Sequence, residues 1–131
     1  MAQTFKFELV SPERIVLSGE AEQVLLPGSE GDMTILPGHA PVVSTLRPGV
    51  LDVILVGSKV RIFVKQAFAQ VEPDRLTILA EKAFDVAGAG QAVIAAELAA
   101  AEAELGQAKD DEQRLFANQA IAALSGLRAA H

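Results

Sequence analysis

Phe5, Phe7 and Leu9 alternate with Lys6, Glu8 and Val10, the period of a strand buried on one face. Short apolar runs follow at residues 15–17, 21–26, 33–36, 42–46, 50–56, 60–64, 68–71 and 76–79. Turn-forming clusters stand between them. Pro27-Gly28-Ser29-Glu30-Gly31-Asp32 and Pro37-Gly38-His39-Ala40-Pro41 combine proline, which presets φ, with glycine, which accepts positive φ. Ser11-Pro12-Glu13-Arg14, Ser18-Gly19-Glu20 and Arg47-Pro48-Gly49 interrupt the runs in the same way. Gly57-Ser58-Lys59 and Glu72-Pro73-Asp74-Arg75 each separate two runs at hairpin distance. Eight or more short strands with regular turns indicate a sandwich or flattened barrel. A single exposed sheet would leave too many apolar side chains in water.

The period changes near residue 85. Gly88-Ala89-Gly90 reads as a flexible junction, and from Gln91 onward alanine dominates while β-branched residues become scarce, which favours helix. Ile94, Leu98, Ala101 and Leu105 fall on one helical stripe. Gly106 breaks it, and the run 110–112 supplies a cap and an acidic first turn for a second helix. Phe116, Ala120, Ala123, Leu124 and Leu127 repeat the stripe. So short a loop makes the helices antiparallel neighbours. The expected fold is therefore α+β: an N-terminal β-sandwich over residues 1–85, then a C-terminal antiparallel two-helix hairpin over 86–131. Alanine faces allow close approach but bury little area, and each buried Leu or Ile contributes only about 1.5–3 kcal/mol. The hairpin should be held more weakly than the sandwich.

Composition narrows the function. The 131 residues carry 11 Lys plus Arg against 17 Asp plus Glu, a net charge of −6. Eight basic and ten acidic groups lie before residue 85, three and seven from there on, so the hairpin is the more acidic part. An acidic chain is a poor fit for generic phosphate-backbone binding, so nucleic acid is not an expected partner. No cysteine is present, which removes disulfides, thiolate nucleophiles and cysteine-ligated metals. No apolar run reaches the roughly 18 residues of a membrane span, and the first residues lack a signal-peptide apolar region. The expectation is a soluble, cytoplasmic protein that can reach a membrane through a partner.

The catalytic inventory is thin. The two histidines are His39 and His131, and neither has a partner at metal-ligand spacing. His39, Asp32 and Ser44 can be drawn as a triad, but nothing in their spacing favours one. No GxxxxGK[ST] loop occurs, and no GxGxxG joins a strand to a helix. Glu30 and Asp32 would repel a phosphate at the Gly28–Gly31 turn. The residues support a binding or structural subunit over an enzyme, with no metal and no cofactor.

Ser11-Pro12-Glu13, Ser18-Gly19-Glu20-Ala21-Glu22, Leu26-Pro27-Gly28-Ser29-Glu30-Gly31-Asp32 and Ile35-Leu36-Pro37-Gly38-His39-Ala40-Pro41, followed by Arg47-Pro48-Gly49 and Leu76-Thr77-Ile78-Leu79-Ala80-Glu81, resemble the epsilon subunits of bacterial F-type ATP synthases. The resemblance runs end to end, and the LPGHAP segment is its most specific part. It implies a central-stalk subunit beside the gamma subunit and on the c-subunit ring. Such a subunit rotates with them and helps couple proton flow to ATP synthesis in the alpha and beta subunits, peripherally at the cytoplasmic face of the inner membrane. It further implies that Asp32 and His39, with Glu30 nearby, face the polar loops of the c-ring. In many bacterial members the hairpin also swings up to the alpha and beta subunits and inhibits hydrolysis.

Three departures qualify this. Family members often carry Gly-Gly-Phe where this chain has Gln66-Ala67-Phe68, so Ala67 gives up permissive backbone angles. Nucleotide-binding members carry Ile/Leu-Asp-x-x-Arg-Ala at the start of the first helix. Here the matching stretch is Ala89-Gly90-Gln91-Ala92-Val93-Ile94, so Gly90 replaces the carboxylate and Val93 the guanidinium, and ATP binding is not expected. Inhibiting members carry several basic residues in the second helix. From residue 85 on the chain has only Lys109, Arg114 and Arg128 against seven acids, which weighs against self-inhibition. Two other classes stay open at this point: a free-standing regulatory module whose hairpin senses a ligand, and a hydrolase using His39. Capture of gamma and the c-ring at low salt separates the first from a stalk subunit, and absence of turnover removes the second.

Overall fold

A computed structural model describes residues 3–130; His131 and the first two residues, both used above, lie outside it. Seven strands precede two helices: β1 (Phe5–Val10), β2 (Ile15–Gly28), β3 (Gly31–Ile35), β4 (Val42–Leu46), β5 (Gly49–Leu55), β6 (Ser58–Glu72), β7 (Arg75–Asp85), α1 (Gln91–Gln107) and α2 (Asp111–Ala130). β1 pairs with β7 in parallel and with β2 antiparallel, and β5 bridges β2 and β6, so the sheet closes into a flattened barrel. Phe7, Leu9, Val24, Leu26, Leu51, Ile62, Val64, Leu76 and Ile78 fill its interior.

Two predicted breaks are absent. Residues 15–17 and 21–26 form one strand, β2, because its first half pairs with β1 and its second half with β5 and β3. Residues 60–64 and 68–71 likewise merge into β6, whose halves pair with β5 and β4 while β7 runs alongside both from Ile62 to Glu72. The irregularity inside β6 is conformational. Gln66 has φ 55. Before it Ile62 and Val64 face the barrel core; beyond it Ala67, Ala69 and Val71 do. One left-handed residue switches which parity points inward, and β7 switches at the same level, from Ala83 to Ala80.

The junction before α1 is a built turn. The Asp85 carboxylate accepts the Ala87 N–H at 3.0 Å and its carbonyl accepts that of Ala89 at 2.9 Å. Asp110 caps α2 by accepting the Gln113 N–H at 2.8 Å, and the Gln113 side chain accepts the Lys109 N–H at 2.8 Å, a reciprocal arrangement that fixes the helix start. Ile94, Leu98, Ala101, Ala120, Leu124 and Leu127 bury the facing stripes of the two helices. This second core reaches the barrel through Phe63, which is fully buried, with Val50, Phe84 and Val86. The Phe63 and Phe84 rings stack with centroids 5.2 Å apart. Two ion pairs flank the seam: Lys65 Nζ to Glu104 Oε1 at 2.6 Å and Lys82 Nζ to Glu97 Oε1 at 3.2 Å. Lys65 is only 4% exposed.

Candidate functional site

The acidic turn between β2 and β3 is shaped by glycine. A Cβ on Gly28 would collide with the Gly31 carbonyl oxygen, and Gly31 has φ 137, which L side chains rarely adopt. Glu30 therefore sits at an exposed tip. Asp32, in β3, is held: its Oδ1 accepts from Arg47 Nη2 at 2.6 Å. A cleft of about 520 Å³ runs from this turn along β3 and β4, lined by Glu30, Asp32, Met33, Val43 and Thr45 among others. Among the described residues β3 pairs with β2 alone, which leaves its other edge unpaired.

His39 lies past the opposite end of β3. Its Nδ1 is 2.9 Å from the Ala40 carbonyl oxygen, and its N–H donates to the Leu36 carbonyl at 3.2 Å. Gly38 N–H donates to the Pro73 carbonyl at 2.8 Å, which ties this loop to the β6–β7 turn. The structure thus places Glu30 and Asp32 at one end of β3 and His39 at the other. From Asp32 to Ile35 the strand alone spans roughly 10 Å. The drawn triad does not form, since the Ser44 hydroxyl donates to the Thr45 carbonyl and Asp32 is engaged by Arg47.

Period 2 along the strands leaves open whether Leu9, Val10, Val42 and Val43 are core or face gamma; the structure buries Leu9 and puts Val10 and Val43 on a second surface, whose other members the sequence reading did not include. The strand registers align Thr45, Phe68, Leu79, Val10 and Ile15 in one row across β4, β6, β7, β1 and β2, on the outer face of the barrel. At about 4.8 Å per strand the row is roughly 19 Å long. Ile15 is 59% exposed, Phe68 43% and Leu79 37%, and Val43 extends the patch one row further. Contiguous exposed apolar side chains of this kind mark an interaction site. A signal was present: Phe68 falls among Gln66, Gln70 and Glu72, and Leu79 among Arg75, Thr77 and Glu81, so each is an apolar residue on the polar parity of its strand.

The hairpin side offers a cleft of about 620 Å³ lined by Lys65, Gln66, Lys82, Glu104, Gln107 and Phe116 among others. Both lysines there are already paired to α1 carboxylates. Gly90 stands at the start of α1 with no side-chain cap, and Val93 is 43% exposed in the first turn. No helix among the described residues is long and apolar enough to cross a membrane, and no group of three or more His, Asp or Glu among them could hold a metal ion.

Residues 4–86 match the family model described as the beta-sandwich domain of the ATP synthase delta/epsilon chain. An ATP synthase epsilon chain from Parvibaculum lavamentivorans is 45% identical over 129 residues, covering 98% of each chain. One from Rhodospirillum rubrum is 46% identical over 132 residues, covering 99% of this chain and 98% of that one. Among solved structures, a chain of the Euglena gracilis mitochondrial ATP synthase, in an assembly of OSCP, F1 and c-ring, superposes with a TM-score of 0.72 at 25% identity, covering 97% of this chain and 81% of that one. A chain from the central stalk and c-ring of the Tetrahymena thermophila mitochondrial enzyme gives a TM-score of 0.68 at 14% identity, covering 96% and 97%, and speaks for the fold alone.

Proposed function

The chain belongs to the ATP synthase delta/epsilon family, and from that membership we propose that it is a central-stalk subunit of an F-type ATP synthase that couples rotation to ATP synthesis without making or breaking bonds itself. Its binding partners in this reading are the gamma subunit and the ring of c subunits. It lies peripherally at the cytoplasmic face of a bacterial inner membrane, held there by the complex.

The observation that carries the reading is the apolar row Phe68–Leu79–Val10–Ile15 on the outer face of the barrel. A rotor subunit must transmit torque through a surface that does not slip, and burying a row of large side chains against a partner supplies a stable contact without long flexible arms. We assign this face to gamma. The Glu30–Asp32 turn and the His39 loop, each with φ preset at a proline and a tight bend permitted by glycine, are assigned to the polar loops of the c-ring. The hairpin lacks the charge partners for a nucleotide at Gly90 and Val93, so the subunit is expected to bind ATP no tighter than millimolar.

The test is a paired substitution, Phe68→Asp with Leu79→Asp. Both side chains are exposed, so the isolated subunit should melt within a few degrees of the parent. Capture of gamma at low salt should fall at least tenfold. Undiminished capture would overturn the assignment of this face. A ligand-sensing module that never joins the rotor would capture neither gamma nor the c-ring in the parent form.

A further inference from the structure

The outer face that carries the apolar row ends at β4, and β4 is open on its far side. It pairs with β6 along one edge; on the other, among the described residues, only Leu46 meets a strand, at Gly28. One bond sets the direction of each backbone group. The Thr45 carbonyl accepts the Ser29 N–H at 3.0 Å, so it points away from β6. In an antiparallel strand the N–H and C=O of one residue point to the same side, and the side alternates along the chain. The N–H and C=O of Val43 and the N–H of Thr45 therefore point out of the sheet edge, and among the described residues none of the three has a hydrogen-bond partner.

Such an edge invites pairing with another chain, and folded proteins guard edges with charge, proline or a distorted backbone. β3, which lines the same cleft of about 520 Å³, is guarded: Gly31 has φ 137 and Asp32 carries a charge. β4 is not. Val42-Val43-Ser44-Thr45-Leu46 has no charged side chain, and Pro41 blocks only its start. Val43 is 68% exposed and Val42 40%, two β-branched side chains on opposite faces of one edge.

We propose that β4 accepts an added strand: an extended segment of gamma pairs main chain to main chain with Val43 and Thr45, continuing the sheet whose outer face carries the row. Resting on the reading that this row meets gamma, the pairing adds the mode of contact. Continuity argues for gamma as the occupant. Thr45 belongs to the row and Val43 lies one row further on the same face, so a partner seated on Phe68 and Leu79 reaches the β4 edge without a gap. Charge sets the chemistry of the segment. Glu30 and Asp32 line the cleft beside β4 and, among the described residues, no basic side chain does, so the segment is free of acids and turns a Lys or Arg toward β3. Main-chain pairing also resists sliding along the strand, since a slip of one residue reverses every side chain.

The test uses the full-length subunit, alone and in complex with purified gamma. In hydrogen exchange the Val43 and Thr45 amides should be unprotected in the free subunit and slowed by about a hundredfold or more in the complex. Val43→Pro removes the outward N–H and spares every bond to β6, so the subunit should melt within a few degrees of the parent while gamma binding weakens by about tenfold or more. Val43→Ala keeps the N–H and loses the exposed side chain, and should weaken binding by about threefold or less. Unchanged exchange at Val43 and Thr45 in a complex that forms would overturn the inference and leave the gamma reading standing. Equal losses in Val43→Pro and Val43→Ala would also overturn it, since the side chain would then be making the contact. Protection of the same amides in the free subunit, rising with its concentration, would overturn it in favour of a second copy of this chain. A parent subunit that binds no gamma would instead overturn the gamma reading beneath it, and this inference with it.

Discussion

Gln66 is the residue on which the shape of the barrel turns. A left-handed backbone at a residue bearing a Cβ costs about 1 kcal/mol, and here it lets β6 exchange its inward parity between Val64 and Ala67. Replacing it with glycine should raise stability by at most about 0.5 kcal/mol, after the larger unfolded-state entropy of glycine is set against the relieved strain. Ala67→Gly, one position on, should instead lose about 0.5–1 kcal/mol, because Ala67 is buried and not left-handed. Chemical denaturation of the two variants decides this, and a gain from Ala67→Gly would contradict it. The departure from Gly-Gly-Phe is visible in the sequence at both Gln66 and Ala67. The strain belongs to Gln66, since an ordinary residue type gives no sign that its backbone is left-handed. Arg47 was equally hidden. It reads as part of an Arg-Pro-Gly turn, and only the folded β4 brings its guanidinium back over Gly28 and Asp32.

At the level of elements, the helices were legible almost to the residue, because stripe, breaker and cap all agree at Gln91, Gly106 and Asp110. Strand boundaries were less so. Ser18-Gly19-Glu20 has turn chemistry, yet β2 passes straight through it still paired with β1, and takes up β5 only from Ala21. A change of partner leaves no local mark. How the hairpin meets the barrel was not legible either, because Phe63 and Lys65 lie in an apolar β6 run with no hint of what covers them. That seam is narrow, and hydrogen exchange should be faster across 91–130 than across the strands; equal protection in both would contradict this. Phe63→Ala removes the ring at the centre of the seam and should cost about 3–5 kcal/mol, with the loss of protection concentrated in α1 and α2. The two flanking ion pairs differ in expected weight. Glu104→Gln leaves the buried Lys65 ammonium without its anion and should weaken docking by about 1–2 kcal/mol after allowance for the half-exposed carboxylate. Glu97→Gln should do less, since Lys82 is 55% exposed and can turn to water.

For the whole molecule, the division of labour follows from where charge and apolar surface lie. The barrel offers an apolar row on one face and, at β3, an acidic edge whose turns are shaped by proline and glycine. The hairpin concentrates acid, with three basic residues against seven acidic ones from residue 85 on. Removing residues from about 88 onward should therefore leave assembly intact and change ATP hydrolysis little; a several-fold rise would mean that the hairpin inhibits. In this reading the chain transmits rotation and performs no chemistry of its own. The decisive measurement returns the purified subunit to an ATP synthase depleted of it and follows ATP-driven proton pumping. Pumping should recover toward that of the intact enzyme, with no ATP turned over by the subunit alone. Pumping that stays at the depleted level despite stoichiometric addition would contradict the claim.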